Sequence, residues 1–445
     1  MASDLLSIAK SGTQAARIAL DVTAQNIANA STEGYVRRSI RLAEVTGSGM
    51  PMSVGDISLS GVRLDAVVRN ADLFKQSEVR RTGSDASRAN AELSGLSNIE
   101  AAVEQANIYP AIVAFEGSLQ KLVSDPTSSS LRASVIEDAR TMVRTFNIAS
   151  QSLDSVRDGL HFETSSAVDQ VNILAQELGR VNLRLSRAAD ASSDQTALLD
   201  QRDSLLQSLS EHTDVYTTIS ANQTVEVRIG GASGAQLVTG GTASTLAMVT
   251  AADDTISFTL GGSPVTLTSG SLTGKAQALT KLADTRTQLD AVASSLVTTV
   301  NTAQAAGVAL DGSAGQPIFS GTGAAGIALV MSDGSGIATA PSGAGANSRD
   351  PTNLNALRDA LAAADPIGEL DSTIFDISST VAGRKITRDA LQTIADGAKV
   401  ALQAQAGVSL DLEAVNLVRY QQAFQASSRV MQVASDIFDS LLSIR

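Results

Sequence analysis

Apolar residues recur at every third and fourth position over several long stretches, and the longest keeps a single register for more than seven heptads. Val135, Ala139, Met142, Phe146, Ala149, Leu153, Val156, Leu160, Ala167, Val171, Leu174, Leu178, Val181, Leu185 and Ala188 follow it, with Thr164 as the polar member. Alternating steps of three and four place side chains on one helix face, and a strict seven-residue repeat winds that face left-handed. The pattern predicts a helix over 130–189, roughly 90 Å long at 1.5 Å per residue. Gly159 and Gly179 cost it about 1 kcal/mol each and are candidate bends. Leu279, Leu282, Leu289, Ala293, Leu296, Val300 and Ala303 predict a second helix, and Leu391, Ile394, Ala398, Ala401 and Val408 a third. Three such seams satisfy one another in a rod-shaped bundle.

The two ends carry broader stripes. Leu417, Tyr420, Phe424, Met431, Ala434, Phe438 and Leu441 form one row, interrupted by Ser427, while Ala423, Val430, Ile437 and Ile444 recur every seventh residue beside it. Near the N-terminus, Leu6, Ala9, Ala16, Leu20 and Ile27 make one row and Leu5, Ile8, Ala15, Ala19 and Val22 the next. A face this wide needs more than one partner. The ends are therefore expected to pair with each other and with further copies. The first helix is expected to close at ANASTEGY, where Gly34 can adopt the left-handed conformation. Ser409 is placed to cap the last helix, with Asp411 and Glu413 favoured by its dipole.

Between these stripes the period changes. Residues 36–71, with GSGMP and the alternating ISLSGVRLDAVV, read as an extended arm with short strands. VYTTI, TVEVRIGG, TISFTL and VTLTS predict a small β domain at about 213–271, with TISFTLGGSPVTLTS as a hairpin. Residues 321–348 are rich in Gly, Ser and Ala, lack either period and read as loop.

Composition narrows the chemistry. The 445 residues carry 33 Lys and Arg against 46 Asp and Glu, two His, no Cys and no Trp. Disulfides are excluded, zinc and iron-sulfur sites lack ligands, and a net charge of −13 argues against a nucleic-acid groove. Aromatics are 3% of the chain, which suits long helices with thin seams. No apolar run approaches a membrane span. Asp4, Lys10 and Arg17 are scattered through the first twenty residues, so no cleaved secretory signal is expected.

Candidate sites are few. LLDQRD holds Asp200, Arg202 and Asp203 within one turn and reads as an ion-paired solvent face rather than a carboxylate pair for acid-base work. His161 and His212 have no companion ligands. DGSAGQ and DGSGIAT lack the carboxylate spacing of a calcium loop, and GGASGAQ lacks the Lys-Ser/Thr of a phosphate loop. No catalytic, cofactor or metal site is expected. Asn26 and Asn29 sit where carboxamides can either bridge tightly packed subunits or simply end a helix. Tyr35 and Arg37 are placed to anchor the arm to a neighbour or to make ordinary surface contacts.

AQNIANASTEGYVRRS resembles the Asn-rich motif near the N-terminus of bacterial flagellar rod, hook and hook-associated proteins, and VNLVRYQQAFQASSRVMQVASDIFDSLL resembles their shared C-terminal helix. LLDQRDSLLQSLSE, VNTAQAAGVALDGSAGQPIF and IFDSLLSIR are similar to the first hook-filament junction proteins, and together these segments cover most of the chain. Two departures stand out: GIALVMSDG follows almost directly where many members insert a further β domain, and Leu412 interrupts an acidic run at the start of the last helix. The resemblance implies a mainly α fold with a small inserted β domain. Terminal helices at 1–40 and 409–445 would form a coiled-coil-like inner axial layer. An elongated long-helix bundle with its arm would occupy 41–212 and 272–408, and the β-rich outer domain 213–271. It implies a structural adapter that self-associates in a helical axial assembly at the hook tip, between hook protein and the second junction protein. It also implies a flagellar export chaperone, and unfolded export through the type III channel to the extracellular flagellum without a cleaved signal. Leu6, Leu20, Asn26, Ile27, Asn29, Tyr35, Leu417, Tyr420, Phe424, Met431, Phe438 and Leu441 are the implied assembly residues. Another hook or rod component is the alternative within this class. A wall hydrolase would need convergent carboxylates in a cleft, and an adhesive or sensory coiled coil a membrane anchor; the sequence offers neither.

Overall fold

The computed structural model describes residues 2–32, 34–46, 59–188 and 192–443. GSGMP and Ile444 lie outside them, and the side chain of Leu441 is likewise outside what is described. In chain order the elements are α1 (Ala2–Ala28), β1 (Arg38–Thr46), β2 (Leu59–Arg69), α2 (Leu73–Glu104), α3 (Ile108–Leu122), α4 (Ser129–Leu185) and α5 (Ser193–His212). Strands β3 (Tyr216–Ile219), β4 (Val225–Ile229), β5 (Ala235–Thr239), β6 (Thr242–Ala243), β7 (Leu246–Thr250), β8 (Ile256–Leu260) and β9 (Ser263–Val265) precede α6 (Ser271–Ala306). Then come β10 (Gly307–Val308), β11 (Phe319–Ser320), α7 (Gly323–Gly326), β12 (Ala328–Leu329), β13 (Ala340–Pro341), α8 (Thr352–Ala364), α9 (Pro366–Ala406) and α10 (Leu410–Ser443). The chain divides into two compact units: Met1–Ser84, Val171–Thr245 and Gln392–Arg445 form the first, and Asp85–Gln170 and Leu246–Leu391 the second. The fold is mainly α, with long helices and a few small sheets.

The longest heptad run becomes α4, 57 residues without a break. Every apolar member from Val135 to Leu153 is fully buried, as are Val171, Leu178, Val181 and Leu185 further along. Thr164 fits the seam because its hydroxyl donates to the Leu160 carbonyl at 2.6 Å. Gly179 lies within this unbroken helix. It admits the β5–β6 turn, since a Cβ there would stand 2.9 Å from the Gly241 carbonyl oxygen. One helical turn on, Asn182 donates to the carbonyls of Val225 and Gly240 and accepts the Val225 N–H, which fixes the sheet on this helix within the first unit.

In the second unit, α3, the first part of α4, α6 and α8 share a core in which Phe115 meets Phe319 edge to face at 5.8 Å. The second heptad run is the buried stripe of α6, from Leu279 to Val300. The third is not covered: on α9, Ile394 and Ala401 are exposed and Leu391 and Ala398 only half-buried, and Val408, also half-buried, lies beyond the end of the helix. A heptad specifies a face, and here no neighbour among the described residues buries it fully.

The segment 213–271 forms two antiparallel sheets. One has the order β3-β4-β5-β6 and lies in the first unit; the other, β7-β8-β9, lies in the second. Alternation is clean in β4, with Val225, Val227 and Ile229 buried. Gly261 and Gly262, at φ 58° and 84°, close the β8–β9 hairpin as expected of a Gly-Gly turn. Residues 321–348 correct the loop expectation. They contain α7, β12 and β13, and Ile337, Ala338, Thr339 and Ala340 are buried. Side chains from distant helices supply the backbone partners that periodic structure would otherwise provide. Asn147 donates to the Ala324 and Ile327 carbonyls, Gln304 accepts from the Ala338 N–H, and Asn353 donates to the Ala303 and Ala338 carbonyls. Arg132, 1% exposed, donates to the carbonyls of Pro126 (2.6 Å), Gly334 (3.0 Å) and Ile337 (2.8 Å) and to the Thr339 hydroxyl (2.8 Å).

Candidate assembly surface

The two end stripes meet in the first unit, where α1 runs against α10. Small residues set the approach. Ala9, Ala15, Ala16, Ala19, Val22 and Thr23 are the buried side of α1, and a Cβ on Gly12 would stand 2.9 Å from Ser427 Oγ. Ser427, the polar interruption in the C-terminal row, therefore occupies the tightest point of the pair, where a Leu would hold the helices apart. On α10 the row Leu417, Tyr420, Phe424 and Met431 is half-buried and Ala434 buried. The pairing leaves much apolar surface open: Leu5, Leu6 and Ile27 on α1, and Val415, Val418, Val430, Val433, Ile437 and Phe438 on α10, are exposed. Leu20 is half-buried.

The turn after α1 is tied to the start of α10 by one polar cluster. Asn26 is buried, and its carboxamide is saturated within the chain. The oxygen accepts the Tyr35 hydroxyl (2.9 Å) and the Arg38 N–H (3.0 Å); the amide group donates to the Arg38 carbonyl (2.8 Å) and Glu413 Oε2 (3.3 Å). It thus ties the end of α1 to the arm and to the start of α10 within the chain. Asn29 donates to the Gln25 carbonyl at 2.9 Å and finishes the last turn of α1. Gly34 is left-handed at φ 78°, although the helix has already ended at Ala28. Glu413 does more than favour a helix dipole: buried at the first turn of α10, it pairs with Arg37 Nε at 2.7 Å. Burial raises the Tyr35 phenol above its ordinary range, with Arg38 pulling down and Asp200 and Glu413 pushing up. The Arg38 guanidinium lies 5.2 Å from the Tyr35 ring centre.

From this turn the arm returns as the antiparallel ribbon β1–β2. β2 lies on α1 at Gly61, whose φ of 89° and close approach to Ser11 and Ile8 leave no room for a side chain. Arg38 and Arg69 face each other across the ribbon, and both reach α5. Arg38 bonds Asp200 at 2.8 Å, and Arg69 bonds Asp200 at 2.7 Å and Asp203 at 2.9 Å. Arg202 adds a 2.7 Å pair to Asp203 and donates to the Gln223 carbonyl. LLDQRD is therefore a buried clamp for the arm, which corrects its reading as a solvent face: Arg202 is fully buried and Asp203 nearly so. Burial pushes the Asp203 carboxyl up, but Arg202 and Arg69 outweigh it and hold it below the usual carboxylate range. Its contribution is present above the unfolded carboxylate pKa and is lost as the pH falls through the depressed folded value. No local spacing signals this cluster, because its partners lie more than a hundred residues apart.

The acidic turns serve themselves. Asp311 and Asp333 each accept the backbone N–H two residues on, at 2.8 Å. Among the described residues no three His, Asp or Glu converge on a metal-sized site, and no helix is long and apolar enough to cross a membrane.

Comparison with known proteins gives a consistent set of likenesses. A family model for the flagellar hook-associated protein FlgK helical domain matches residues 93–319. The flagellar basal body rod FlgEFG protein C-terminal model matches 403–444, and the flagella basal body rod protein model matches 6–35. The chain is 24% identical to flagellar hook-associated protein 1 of Bacillus subtilis, over 98% of this chain and 97% of the relative. It is 25% identical to flagellar hook-associated protein 1 of Escherichia coli, over the whole of both. That alignment runs over 551 positions against 445 residues here, so the relative carries internal sequence that this chain lacks. The solved flagellar hook junction protein FlgK from Burkholderia pseudomallei shares the fold, with a TM-score of 0.65 at 15% identity over 74% of this chain and 99% of that one.

Proposed function

Because the chain belongs to the flagellar hook-associated protein FlgK family, whose helical-domain model spans half of it, and is thus a structural protein of the hook-filament junction and no enzyme, we propose that its paired terminal helices are the element that polymerises. In this reading α1 and α10 of one copy are completed by the same helices of adjacent copies in a helical axial array, with the pair forming the layer nearest the axis. Leu6, Leu20, Ile27, Leu417, Tyr420, Phe424, Met431, Phe438 and Leu441 supply the contacts. Asn26, Asn29 and Tyr35 hold the turn that presents them.

The observation that carries the reading is the one-sided covering of α10: Leu417, Tyr420, Phe424, Met431 and Ala434 are half-buried or buried in the helix pair, while Val415, Val418, Val430, Val433, Ile437 and Phe438 stay exposed. Exposed apolar patches of this extent mark interaction surfaces. The rod-type matches at both ends fit segments common to axial proteins, whereas the match over 93–319 distinguishes a hook-associated member from a rod or hook subunit. The neighbours are hook protein on one side and the second junction protein on the other. The chain reaches them unfolded through the flagellar type III channel, without a cleaved signal and with an export chaperone; the absence of Cys agrees with threading.

Deleting the gene is expected to leave hooks of normal length, no filaments, and filament subunits released into the medium, all restored by the intact gene. Electron microscopy of the deletion strain and immunoblots of the medium read this. Filaments of normal number on the deletion strain, or cells without hooks, would overturn the assignment.

A further inference from the structure

In the first unit a cleft of about 330 Å³ opens between the start of α2, α5 and β3. Leu73, Phe74, Gln76, Arg80, Asp203 and Thr217 are among its lining residues. It adjoins the arginine clamp, but its own polar groups are not matched. Arg80 is 7% exposed, and its hydrogen bond is a long one, 3.4 Å to the Thr217 hydroxyl. The nearest carboxylate, Asp203, is already taken by Arg69, Arg202 and the amide group of Gln76. Gln76 is 7% exposed, and its carbonyl oxygen is buried without a hydrogen-bond partner.

Four arginines, Arg38, Arg69, Arg80 and Arg202, thus share two carboxylates, Asp200 and Asp203. The cluster is short of negative charge at the point where it meets the cleft. Burial lowers the Arg80 pKa from its ordinary value; the shared Asp203 pulls it up and Arg202 pushes it further down, so the cation is only partly compensated. An unpaired buried acceptor adds to that cost. Leu206, Ile219 and Ser77 complete the wall, and Phe74 is 77% exposed.

We propose that this cleft receives an acidic side chain of a second copy of the chain, its carboxylate pairing with Arg80 and its adjoining backbone N–H donating to the Gln76 carbonyl. A second copy is favoured as the source by charge: each carries 46 acidic against 33 basic residues, and neighbours bring carboxylates to an arginine excess. The inference rests on the axial reading above and adds a specific polar contact to it.

The test places a photo-crosslinking benzoyl-phenylalanine at Phe74 in the full chain, in a strain whose own gene is deleted. Flagella are irradiated and the crosslinked peptides identified by mass spectrometry. A crosslink to an Asp- or Glu-bearing peptide of the same protein, lost when Arg80→Met is added and kept with Arg80→Lys, is the expected result. Purified Arg80→Met should melt at or above the temperature of the parent, because the monomer loses an unpaired buried cation. A lower melting temperature would assign Arg80 an internal structural role. A crosslink only to another flagellar protein, or none from protein present at the hook tip, would overturn the second-copy contact and leave the axial reading standing. Absence of the intact chain from the hook tip would remove both.

Discussion

Phe438→Asp is expected to abolish filament growth while leaving the melting curve of the purified protein nearly unchanged. Phe438 is 53% exposed on α10, so the folded chain by itself gains little from it. In the proposed array its ring is covered by an adjacent copy, and fully burying a Phe contributes about 1.5–3 kcal/mol. A carboxylate in its place would carry an unpaired charge into that contact, at several kcal/mol per ion. The same loss falls on every subunit contact, so the junction fails as a whole. Motility and filament counts, in cells confirmed to export the variant, should be read beside thermal melting of the monomer. Normal filaments would sink the idea, and a collapsed melt would mean that the side chain belongs to the protein's own packing.

The second large effect concerns stability. Arg132→Met is expected to cost about 3–5 kcal/mol, because it withdraws a charged donor from three carbonyls and a hydroxyl in buried contacts. Spread over a unit of this size, that corresponds to a fall of roughly 6–20 °C in its melting temperature. Arg132→Lys should recover part of it, since an ammonium offers three donors but not the span of a guanidinium. Residues 327–341 should lose protection from amide exchange first, and a melt within about 2 °C of the parent would refute this account. The contrast with Arg80 is instructive. Both arginines are buried, but Arg132 is saturated and Arg80 is not, so the same substitution is expected to act in opposite directions on the monomer.

What the sequence makes legible here is whatever a single helix can express. The α4 and α6 seams follow from their own spacing, and even Thr164 is tolerated for a local reason, its bond to the preceding turn. The partner of a seam is not written in the seam: Ile394 keeps its heptad position and remains exposed. The segment 321–348 shows no period because its order comes from Arg132, Asn147, Gln304 and Asn353, which stand on other helices, 15 to 207 residues from the groups they bond. The Asp200 and Asp203 clamp was hidden for the same reason, since an Asp three residues from another reads as a surface turn until Arg38 and Arg69 are brought to it. The assembly stripe was visible as breadth, but which of its residues turn inward depended on the Gly12–Ser427 approach.

Arg38 and Arg69 stand directly opposite one another on the ribbon, an arrangement that pushes two strands apart when nothing neutralises it. The acids that do so lie 162 and 134 residues further along the chain. Hairpins close in microseconds, whereas contacts over such distances wait on the intervening chain. The ribbon is therefore conditional on the placing of α5. Pulse-labelled exchange during refolding should find the Ser39 and Val68 amides protected after those of α5, and earlier protection would show that the strands pair unaided. A newly delivered chain would hold its arm open until α5 is in place, so the ordering of the turn that carries Asn26, Tyr35 and Glu413 comes late. In the proposed array, the part of the molecule that would meet its neighbours is then the last to take shape.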